Sequence, residues 1–367
     1  MIVSLVISVA VISLISVFLA LLMVVADATI GNYGIVKVDI NDGTRKLEVK
    51  GGMPLLSTLT SQGVFIPSAC GGRGSCGLCK VQVLSGVGDY LPTELPFISK
   101  EEQAQNIRLS CQIKVKQNIA IKIPEELFNV RQYKTTVERI RDLTHDIKEV
   151  TLRLAPGETI TPKAGQYIQF VVPEYGDLDE SVYRAYSVAS PPDDNTRVEL
   201  EIRLVPNGIC TTYVHTILKE GDEVTINGPY GDFYVRDTDR PMICIAGGSG
   251  MAPIKSILLD LKNKGSKRKV TYFFGARSRR DLFLLDEMFA LEKELENFTF
   301  VPALSEPKEE DKWEGEVGLI TDVVRRLSGD ATNSEAYLCG SPGMIDACIA
   351  VLTELHMPEE HIYYDKF

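Results

Sequence analysis

The stretch that most constrains the fold is residues 68–79, SACGGRGSCGLC, which contains Cys70, Cys76 and Cys79. A fourth cysteine, Cys111, lies 32 positions after Cys79. Three thiols on a glycine-rich loop, together with one remote cysteine, are typical of the ligands of a [2Fe–2S] cluster. Glycines let such a loop adopt positive φ angles and approach a small anionic core closely. We therefore predict that these four cysteines bind a [2Fe–2S] cluster.

Three other uses of these cysteines fit the sequence less well. A structural zinc site usually contains two C-x2-C pairs, and this loop contains one. Disulfides require an oxidising compartment, which the nucleotide-binding signals described below contradict. A Rieske centre needs histidine ligands, and none of the four histidines lies in the loop. The gap between Cys70 and Cys76 is one residue longer than in plant-type ferredoxins, so the loop conformation is less constrained than the ligands.

Length and charge limit the class of protein. A chain of 367 residues has room for two to four domains. A net charge of −11 argues against nucleic acid as a partner. The remaining cysteines lie in apolar or nucleotide-site contexts and are predicted to be free thiols: Cys210, Cys244, Cys339 and Cys348.

The N-terminal residues predict a membrane anchor. Residues 2–25 carry no charge, and serine is their only polar residue type. As a helix they would extend about 36 Å at about 1.5 Å per residue, compared with about 30 Å of bilayer hydrocarbon. Lys37, Arg45, Lys46 and Lys50 follow, so we expect a single pass over residues 1–26 in the bacterial inner membrane, with the soluble domains cytoplasmic. The alternative, a signal peptide cleaved at residues 26–28, lacks a basic n-region and has too long an apolar run.

The rest of the chain predicts three further domains. Residues 33–125 have the mixed pattern of an α+β, β-grasp domain around the cysteine loop, with strands that include Ile35–Ile40 and Gln112–Val115. Residues 133–237 carry mostly short strand patterns with turns between them, which predicts an antiparallel β-barrel. Residues 240–367 alternate between strand and helix patterns, which predicts an α/β domain with a parallel sheet.

Two short motifs in residues 133–237 are typical of a flavin site. Arg184-Ala185-Tyr186-Ser187 ends a predicted strand and offers a guanidinium for a pyrophosphate, an aromatic face for a flavin ring and a hydroxyl for a ring nitrogen. A predicted helix N-terminus follows, and such an end with hydroxyl side chains is an anion site. Its candidate residues are Gly208, Thr211 and Thr212. Alone, the quartet fits a surface strand with a packed tyrosine equally well.

Three predicted strand ends in residues 240–367 carry glycines. They contain Gly247, Gly248, Gly250 and Pro253, then Gly275 and Arg277, and finally Cys339, Gly340 and Pro342. Glycines at the carboxyl ends of parallel strands let a dinucleotide phosphate approach the backbone, although the spacing is not G-x-G-x-x-G. We therefore expect the three ends to converge on one dinucleotide crevice.

These motifs, in this order, resemble the ferredoxin–NADP⁺ reductase superfamily, with Arg-x-Tyr-Ser for flavin, Gly-Gly-x-Gly-x-x-Pro for nicotinamide and Cys-Gly-x-Pro near the end. With a ferredoxin domain and a hydrophobic helix in front, the chain resembles the NADH-oxidising subunits of sodium-translocating NADH:quinone reductases. The resemblance extends to residues 91–95, LPTEL, to residues 275–278, GARS, and to the terminal DKF.

The resemblance implies FAD, [2Fe–2S] and NADH as cofactors and assigns the residue roles. Arg184 would hold the FAD pyrophosphate, Tyr186 would stack on the ring and Ser187 would bond near N5. The phosphate cap would be Gly208, Thr211 and Thr212. The NADH site would comprise Gly247, Gly248, Gly250, Pro253, Gly275 and Arg277, with Cys339, Gly340 and Pro342 towards the nicotinamide. Phe367 would cover the flavin, and the expected catalytic residues are Ser187, Cys339 and Phe367.

The implied enzyme oxidises NADH. FAD accepts a hydride and passes electrons singly to the cluster, which delivers them to the other subunits of a quinone reductase or ion-pumping complex. Two alternatives stay open: the reductase component of a soluble oxygenase, and a membrane-tethered ferredoxin unit whose dehydrogenase is elsewhere. Arg277, Arg279 and Arg280 could serve the 2′-phosphate of NADPH, whereas the resemblance favours NADH.

Overall fold

The computed structural model describes residues 2–30, 32–176 and 178–366. The chain forms two compact units, residues 1–129 and 130–367. The first unit contains the cysteine loop, and the second contains the predicted barrel and the predicted parallel sheet.

Helix α1 extends over Ile2–Ile30, and its side chains are described at Ile7 and at residues 9–24. All of these side chains are exposed, and Met23 is 74 % exposed. A search confined to the described residues finds no helix that is both long and apolar enough to span a bilayer. The anchor predicted over residues 1–26 stays a prediction.

The rest of the first unit is a five-stranded mixed sheet packed against one helix, as expected for a β-grasp domain. The strand order is β2-β1-β5-β3-β4, with β1 and β5 parallel. Leu55, Leu56 and Leu59 of α2 are buried against the sheet. The elements are β1 (Ile35–Ile40), β2 (Arg45–Lys50), α2 (Leu55–Ser61), β3 (Lys80–Ser85), α3 (Lys100–Ala104), β4 (Ile107–Leu109) and β5 (Ile119–Lys122).

The strand predicted at Gln112–Val115 is wrong. The strand near Cys111 is β4, which precedes this cysteine. Residues 112–115 instead lie beside the start of α2, where the Leu55 amide donates to the Ile113 carbonyl oxygen at 2.7 Å. Ile113 is buried by these contacts. Alternating burial therefore arises here without a strand ladder, which is why the sequence pattern misled.

The second unit begins with the predicted antiparallel barrel, which the structure confirms. Its strand order is β10-β7-β6-β11-β8-β9, and every pairing is antiparallel. A bridge between Val188 and Leu200 joins the two end strands and closes the barrel. The elements are β6 (Arg131–Asp142), β7 (Ile147–Leu154), β8 (Tyr167–Val172), β9 (Val182–Ser187), β10 (Arg197–Arg203), α4 (Ile209–Thr216) and β11 (Glu223–Tyr230).

A six-stranded parallel sheet follows, also as predicted. Its order is β15-β14-β13-β12-β16-β17, and separate apolar clusters cover its two faces. The elements are β12 (Met242–Gly247), α5 (Met251–Asn263), β13 (Val270–Ala276), α6 (Leu285–Glu294), β14 (Phe298–Leu304), β15 (Glu316–Val317), α7 (Ile320–Ser328), β16 (Glu335–Gly340), α8 (Pro342–Glu354) and β17 (Ile362–Lys366).

Barrel and parallel sheet share one core. Phe233 of the barrel side lies in the same apolar cluster as residues of β12, and its ring centroid is 6.0 Å from that of Tyr337. The Ser256 hydroxyl on α5 donates to the Ser190 carbonyl oxygen at 2.7 Å. This packing places β10 of the barrel against the turn that follows β12.

Candidate cofactor sites

The four predicted cluster ligands lie in two pairs. The thiols of Cys70 and Cys76 share a hydrogen bond, and those of Cys79 and Cys111 share another. The second pair meets because β3 and β4 are paired, so that Cys79 before one strand adjoins Cys111 after the other. Among the described residues, no three Cys, His, Asp or Glu side chains converge on a single metal position. Two pairs fit two irons that each take two protein ligands.

The loop around the first pair depends on glycine. Gly77 has a φ of +70°, and a Cβ there would lie 2.8 Å from Cδ1 of Phe97. The hydrogen bond to Cys76 lowers the pKa of Cys70 to about 3, and the hydrogen bond to Cys79 lowers the pKa of Cys111 to about 7. Each pair therefore contains one sulfur that readily becomes the thiolate, which is the form that binds iron. The donor set suits a [2Fe–2S] cluster.

The predicted flavin quartet lies on β9. Every residue of β9 is half-buried, so the strand leaves room for a ligand. The Arg184 guanidinium donates to the Tyr183 carbonyl oxygen at 2.7 Å. The Tyr186 ring packs edge-on against Phe170, with ring centroids 6.2 Å apart. Ser187 is the last residue of the strand and pairs with Tyr167 of β8.

Helix α4 lies beside β9, so the structure brings the two flavin motifs together. Gly208 is its N-cap, and a Cβ there would lie 2.5 Å from Oγ1 of Thr211. The Thr211 hydroxyl accepts a hydrogen bond from the Val205 amide at 3.1 Å. Thr211 thus stabilises the loop before the helix, whereas Thr212 is half-buried on the first turn.

The three glycine-bearing strand ends converge as predicted. Gly247 of β12 is in register with Gly275 of β13. A Cβ on Gly340 would lie 3.4 Å from the Gly247 carbonyl oxygen. A Cβ on Gly250 would lie 2.2 Å from the Cys339 carbonyl oxygen, so only glycine fits there. The turn after β12, which includes Gly248 at a φ of +57°, therefore lies directly against the end of β16.

Two prolines and a cysteine border this crevice. Pro253 lies in the first turn of α5 and Pro342 is the first residue of α8, positions where the missing N–H costs little. Cys339 is fully buried, and burial raises its pKa. Asp365 of β17 pairs in register with Cys339, and its own burial raises its pKa to about 6. Phe367, the third expected catalytic residue, lies outside the described residues.

The arginines after β13 face carboxylates. Arg277 is exposed and donates through Nε to Glu306 at 2.8 Å. Arg280 lies 3.7 Å from Asp281. These two guanidinium groups already have negative partners.

Three families of known domains match the chain in sequence. They are the 2Fe-2S iron-sulfur cluster binding domain at residues 38–116, the oxidoreductase FAD-binding domain at 134–234 and the oxidoreductase NAD-binding domain at 244–349.

The chain is 40 % identical to the F-type subunit of the Na(+)-translocating NADH-quinone reductase of Neisseria gonorrhoeae, over 95 % of this chain and 96 % of the relative. It is 39 % identical to the protein of the same name in Serratia proteamaculans, with the same coverage. The chain belongs to the family of these F-type subunits. This confirms the predicted resemblance, the three cofactors NADH, FAD and [2Fe–2S], and an NADH-dependent flavin and iron–sulfur oxidoreductase.

Solved structures similar to this chain are themselves reductases. The cytochrome P450 reductase GcoB of Amycolatopsis has a TM-score of 0.73 and 30 % identity, over 90 % of this chain and 98 % of its own. A ferredoxin reductase in carbazole 1,9a-dioxygenase has a TM-score of 0.69 and 26 % identity, over 91 % of this chain and 98 % of its own.

The sequence motifs missed one residue at the nucleotide crevice of this reductase. Nη1 of Arg203, on β10, lies 3.3 Å from the position of a Cβ on Gly248. Its Nε donates to Asp146 at 2.8 Å. The barrel therefore presents a guanidinium over the glycine turn, where a dinucleotide phosphate would approach. The only sequence signal is that Arg203 alternates with the buried positions of β10.

The sequence also did not indicate a charged cluster buried between barrel and sheet. Nζ of Lys255, on α5, lies 3.1 Å from Oε2 of Glu199 and 3.4 Å from Oε2 of Glu149, and its side chain is 6 % exposed. Glu201, 3 % exposed, has no hydrogen-bond partner for either carboxyl oxygen within the described residues. Burial raises the pKa of Glu201 to about 8.

Proposed function

We propose that this chain is the electron-input subunit of a membrane-bound, sodium-translocating NADH:quinone reductase. Electrons pass from NADH to FAD, then to the [2Fe–2S] cluster, and then to a partner in the membrane. The observation that carries the proposal is the match of almost the entire chain to the F-type reductase subunits, with all three cofactor domains in one order. Bound FAD supplies hydride acceptance, and the cluster supplies one-electron transfer.

The residues of the chain bind and orient these groups. Cys70, Cys76, Cys79 and Cys111 are proposed to ligate the cluster. The FAD residues are proposed to be Arg184, Tyr186, Ser187, Gly208, Thr211 and Thr212. Those for NADH are Gly247, Gly248, Gly250, Pro253, Gly275, Arg277, Gly340 and Pro342. Cys339, below the glycine turn, and Phe367 complete the proposed catalytic set with Ser187.

The proposed functional modules are residues 33–125 for the cluster, 133–237 for FAD and 240–367 for NADH. Residues 1–26 are proposed as a single-pass anchor, with the modules on the cytoplasmic side. The exposed apolar side chains of α1 support the anchor, because leaving such a surface in water costs roughly 25 cal/mol per Å².

NADH is proposed as the physiological donor. The pairing of Arg277 with Glu306 supports this choice, because a 2′-phosphate would compete with a carboxylate already in place. Steady-state kinetics with both nucleotides test it, and a higher kcat/KM for NADPH would reverse the choice.

A second candidate is the reductase component of an oxygenase. The structural similarity to a cytochrome P450 reductase and to a dioxygenase reductase favours it. Co-purification from membranes in mild detergent separates the two functions. We expect the chain to carry other membrane subunits with it and to support NADH-dependent quinone reduction. Recovery of the chain alone, with electrons delivered to a soluble oxygenase, would favour the second candidate.

A further inference from the structure

The side chain of Gln112 lies against the sulfur of Cys111. Its Nε2 is 3.4 Å from Sγ, and its Oε1 accepts a hydrogen bond from the Thr93 hydroxyl at 2.9 Å. A hydroxyl hydrogen on the amide oxygen fixes which end of the amide faces which partner. The NH₂ group of Gln112 is therefore the end that meets the sulfur.

The cysteine loop is shaped around this amide. A Cβ on Gly74 would lie 2.6 Å from Nε2 of Gln112, and Gly74 has a φ of +74°. The backbone N–H of Gly74 also bonds to the Cys111 sulfur. Gly74 thus supplies a donor of its own and leaves the space that the Gln112 amide occupies.

A buried ion pair holds Thr93 in place. The neighbouring Glu94 is fully buried and forms a short ion pair with Arg108 of β4. The Glu94 carboxylate also accepts from the amides of Leu91 at 2.9 Å and Leu109 at 3.1 Å. These bonds fasten residues 91–94 to the strand that leads into Cys111. The exposed Thr93 is therefore positioned by its neighbour rather than by its own contacts.

Hydrogen bonds to the sulfurs are among the factors that set the reduction potential of an iron–sulfur cluster. A donated N–H withdraws negative charge from the thiolate. It therefore favours the reduced state, which carries one more electron and so one more negative charge. In this transfer one electron leaves the reduced flavin and enters the cluster, and no proton moves at the donor.

We propose that Gln112, oriented by Thr93, is a positioning residue that raises the reduction potential of the [2Fe–2S] cluster through its hydrogen bond to Cys111. The inference rests on the proposed assignment of Cys111 as a ligand. It adds to that assignment a side chain that makes the cluster a better acceptor for electrons from FAD.

An EPR-monitored redox titration of the full-length protein with its cofactors tests this. Gln112→Leu keeps approximate size but removes the donor, and its midpoint potential should shift to a more negative value. Thr93→Val removes only the orienting hydroxyl and should shift the potential in the same direction by a smaller amount. Gln82→Leu is the matched control, because the Gln82 amide bonds to the Gln105 carbonyl oxygen at 3.1 Å in the same unit. Its potential should equal that of the wild type.

An unchanged potential in Gln112→Leu, with full cluster content, would overturn the inference. If Gln112→Leu does not assemble a cluster, Thr93→Val decides, and an unchanged potential there overturns it. Cys111→Ser separates this result from a failure of the ligand assignment. An unaltered EPR signal in Cys111→Ser would refute the assignment itself, whereas a changed or lost signal together with unshifted Gln112→Leu and Thr93→Val variants would refute only the role of Gln112.

Discussion

At the scale of single residues, burial and pairing decide which groups carry charge. The cluster around Lys255 joins residues of β6, β7, β10, α5 and α6. Its cations are Arg139, Arg141 and Lys255, and its carboxylates are Glu149, Glu199, Glu201 and Glu287. The cations can balance three carboxylates, and Glu201 is the one without a hydrogen bond in the described part of the chain. Glu201 is therefore expected to be protonated at neutral pH.

This predicts a pH dependence of stability. Burial raises the pKa of Glu201 from 4.5 to about 8 in the folded state. Between these values the unfolded chain binds fewer protons at this site, so the contribution of Glu201 to the free energy of unfolding falls as pH rises. It is fully present below about pH 4.5 and lost by about pH 8. Glu201→Gln should remove this loss, with a gain at pH 8 on the order of a few kcal/mol, at about 1.4 kcal/mol per pKa unit.

Thermal unfolding of the flavin-loaded protein between pH 5 and pH 9 provides the measurement. Glu223→Gln, at an exposed carboxylate on β11, is the matched control and should follow the wild type. Parallel curves for wild type and Glu201→Gln would show that Glu201 is ionised in the folded protein.

The cysteine pairs give a second prediction at this scale. Replacing Cys76 with Ala removes one ligand of the first pair, so the [2Fe–2S] EPR signal should be lost while FAD stays bound in the separate unit 130–367. The EPR spectrum and the flavin content of the purified variant are the two readouts. A cluster signal of full intensity would show that Cys76 is not a ligand.

At the scale of elements, β9 and α4 act together. The half-buried β9 presents Tyr186 and Ser187, and α4 lies next to it. Ser187 ends the strand, whereas the Tyr186 ring packs against Phe170. We therefore expect the two side chains to serve different purposes, one near the reacting atom and one in retaining the ring.

Two variants test this division. Ser187→Ala should slow flavin reduction by NADH about 10-fold or more, which corresponds to about 1.4 kcal/mol per decade of rate, with little loss of FAD. Tyr186→Ala should mainly weaken FAD retention, because the stacking surface is gone. Stopped-flow absorbance and flavin content are the measurements, and the reverse pattern would exchange the two roles.

Helix α1 makes a prediction as an element. A chain without residues 1–26 should be soluble and still oxidise NADH with an artificial acceptor, because the cofactor domains lie after α1. It should lose electron delivery to the membrane partner. Fractionation and quinone reduction in reconstituted membranes measure these outcomes. Full-length protein found in the soluble fraction, cleaved after Ala28, would refute the anchor.

At the scale of the whole molecule, the chain joins a two-electron donor to a one-electron acceptor. The flavin domain and the nucleotide domain share a core in one compact unit, whereas the cysteines belong to the other unit. Hydride transfer should therefore depend on the second unit alone.

The order of electron transfer follows from this. In the Cys76→Ala protein, NADH should still bleach the flavin at close to the normal rate, while electron delivery to the membrane partner stops. Anaerobic stopped flow on the wild type and the variant provides the comparison. Bleaching that required Cys76 would contradict the order NADH, FAD, [2Fe–2S].

Much of the cofactor chemistry was predictable from sequence because it resides in adjacent residues. The cysteine spacing, the quartet ending in Ser187 and the glycines at 247, 275 and 340 each need only a few neighbouring positions, and their backbone requirements follow from residue type. The barrel and the parallel sheet were predictable as well, since hydrophobic periodicity reports which elements form and which faces are buried.

Only the tertiary structure decided which distant residues meet. Thr93 and Gln112 are 19 positions apart, and Lys255 and Glu149 are 106 apart. Periodicity indicates that a side chain is buried but not which partner buries it, so an inward-facing Glu201 on β10 has no sequence signal of its own. The predicted strand at 112–115 was wrong for the same reason, because its burial comes from α2 rather than from a neighbouring strand. The sequence by itself determined the cofactor chemistry, and the packing of elements far apart in the chain decided how that chemistry is positioned.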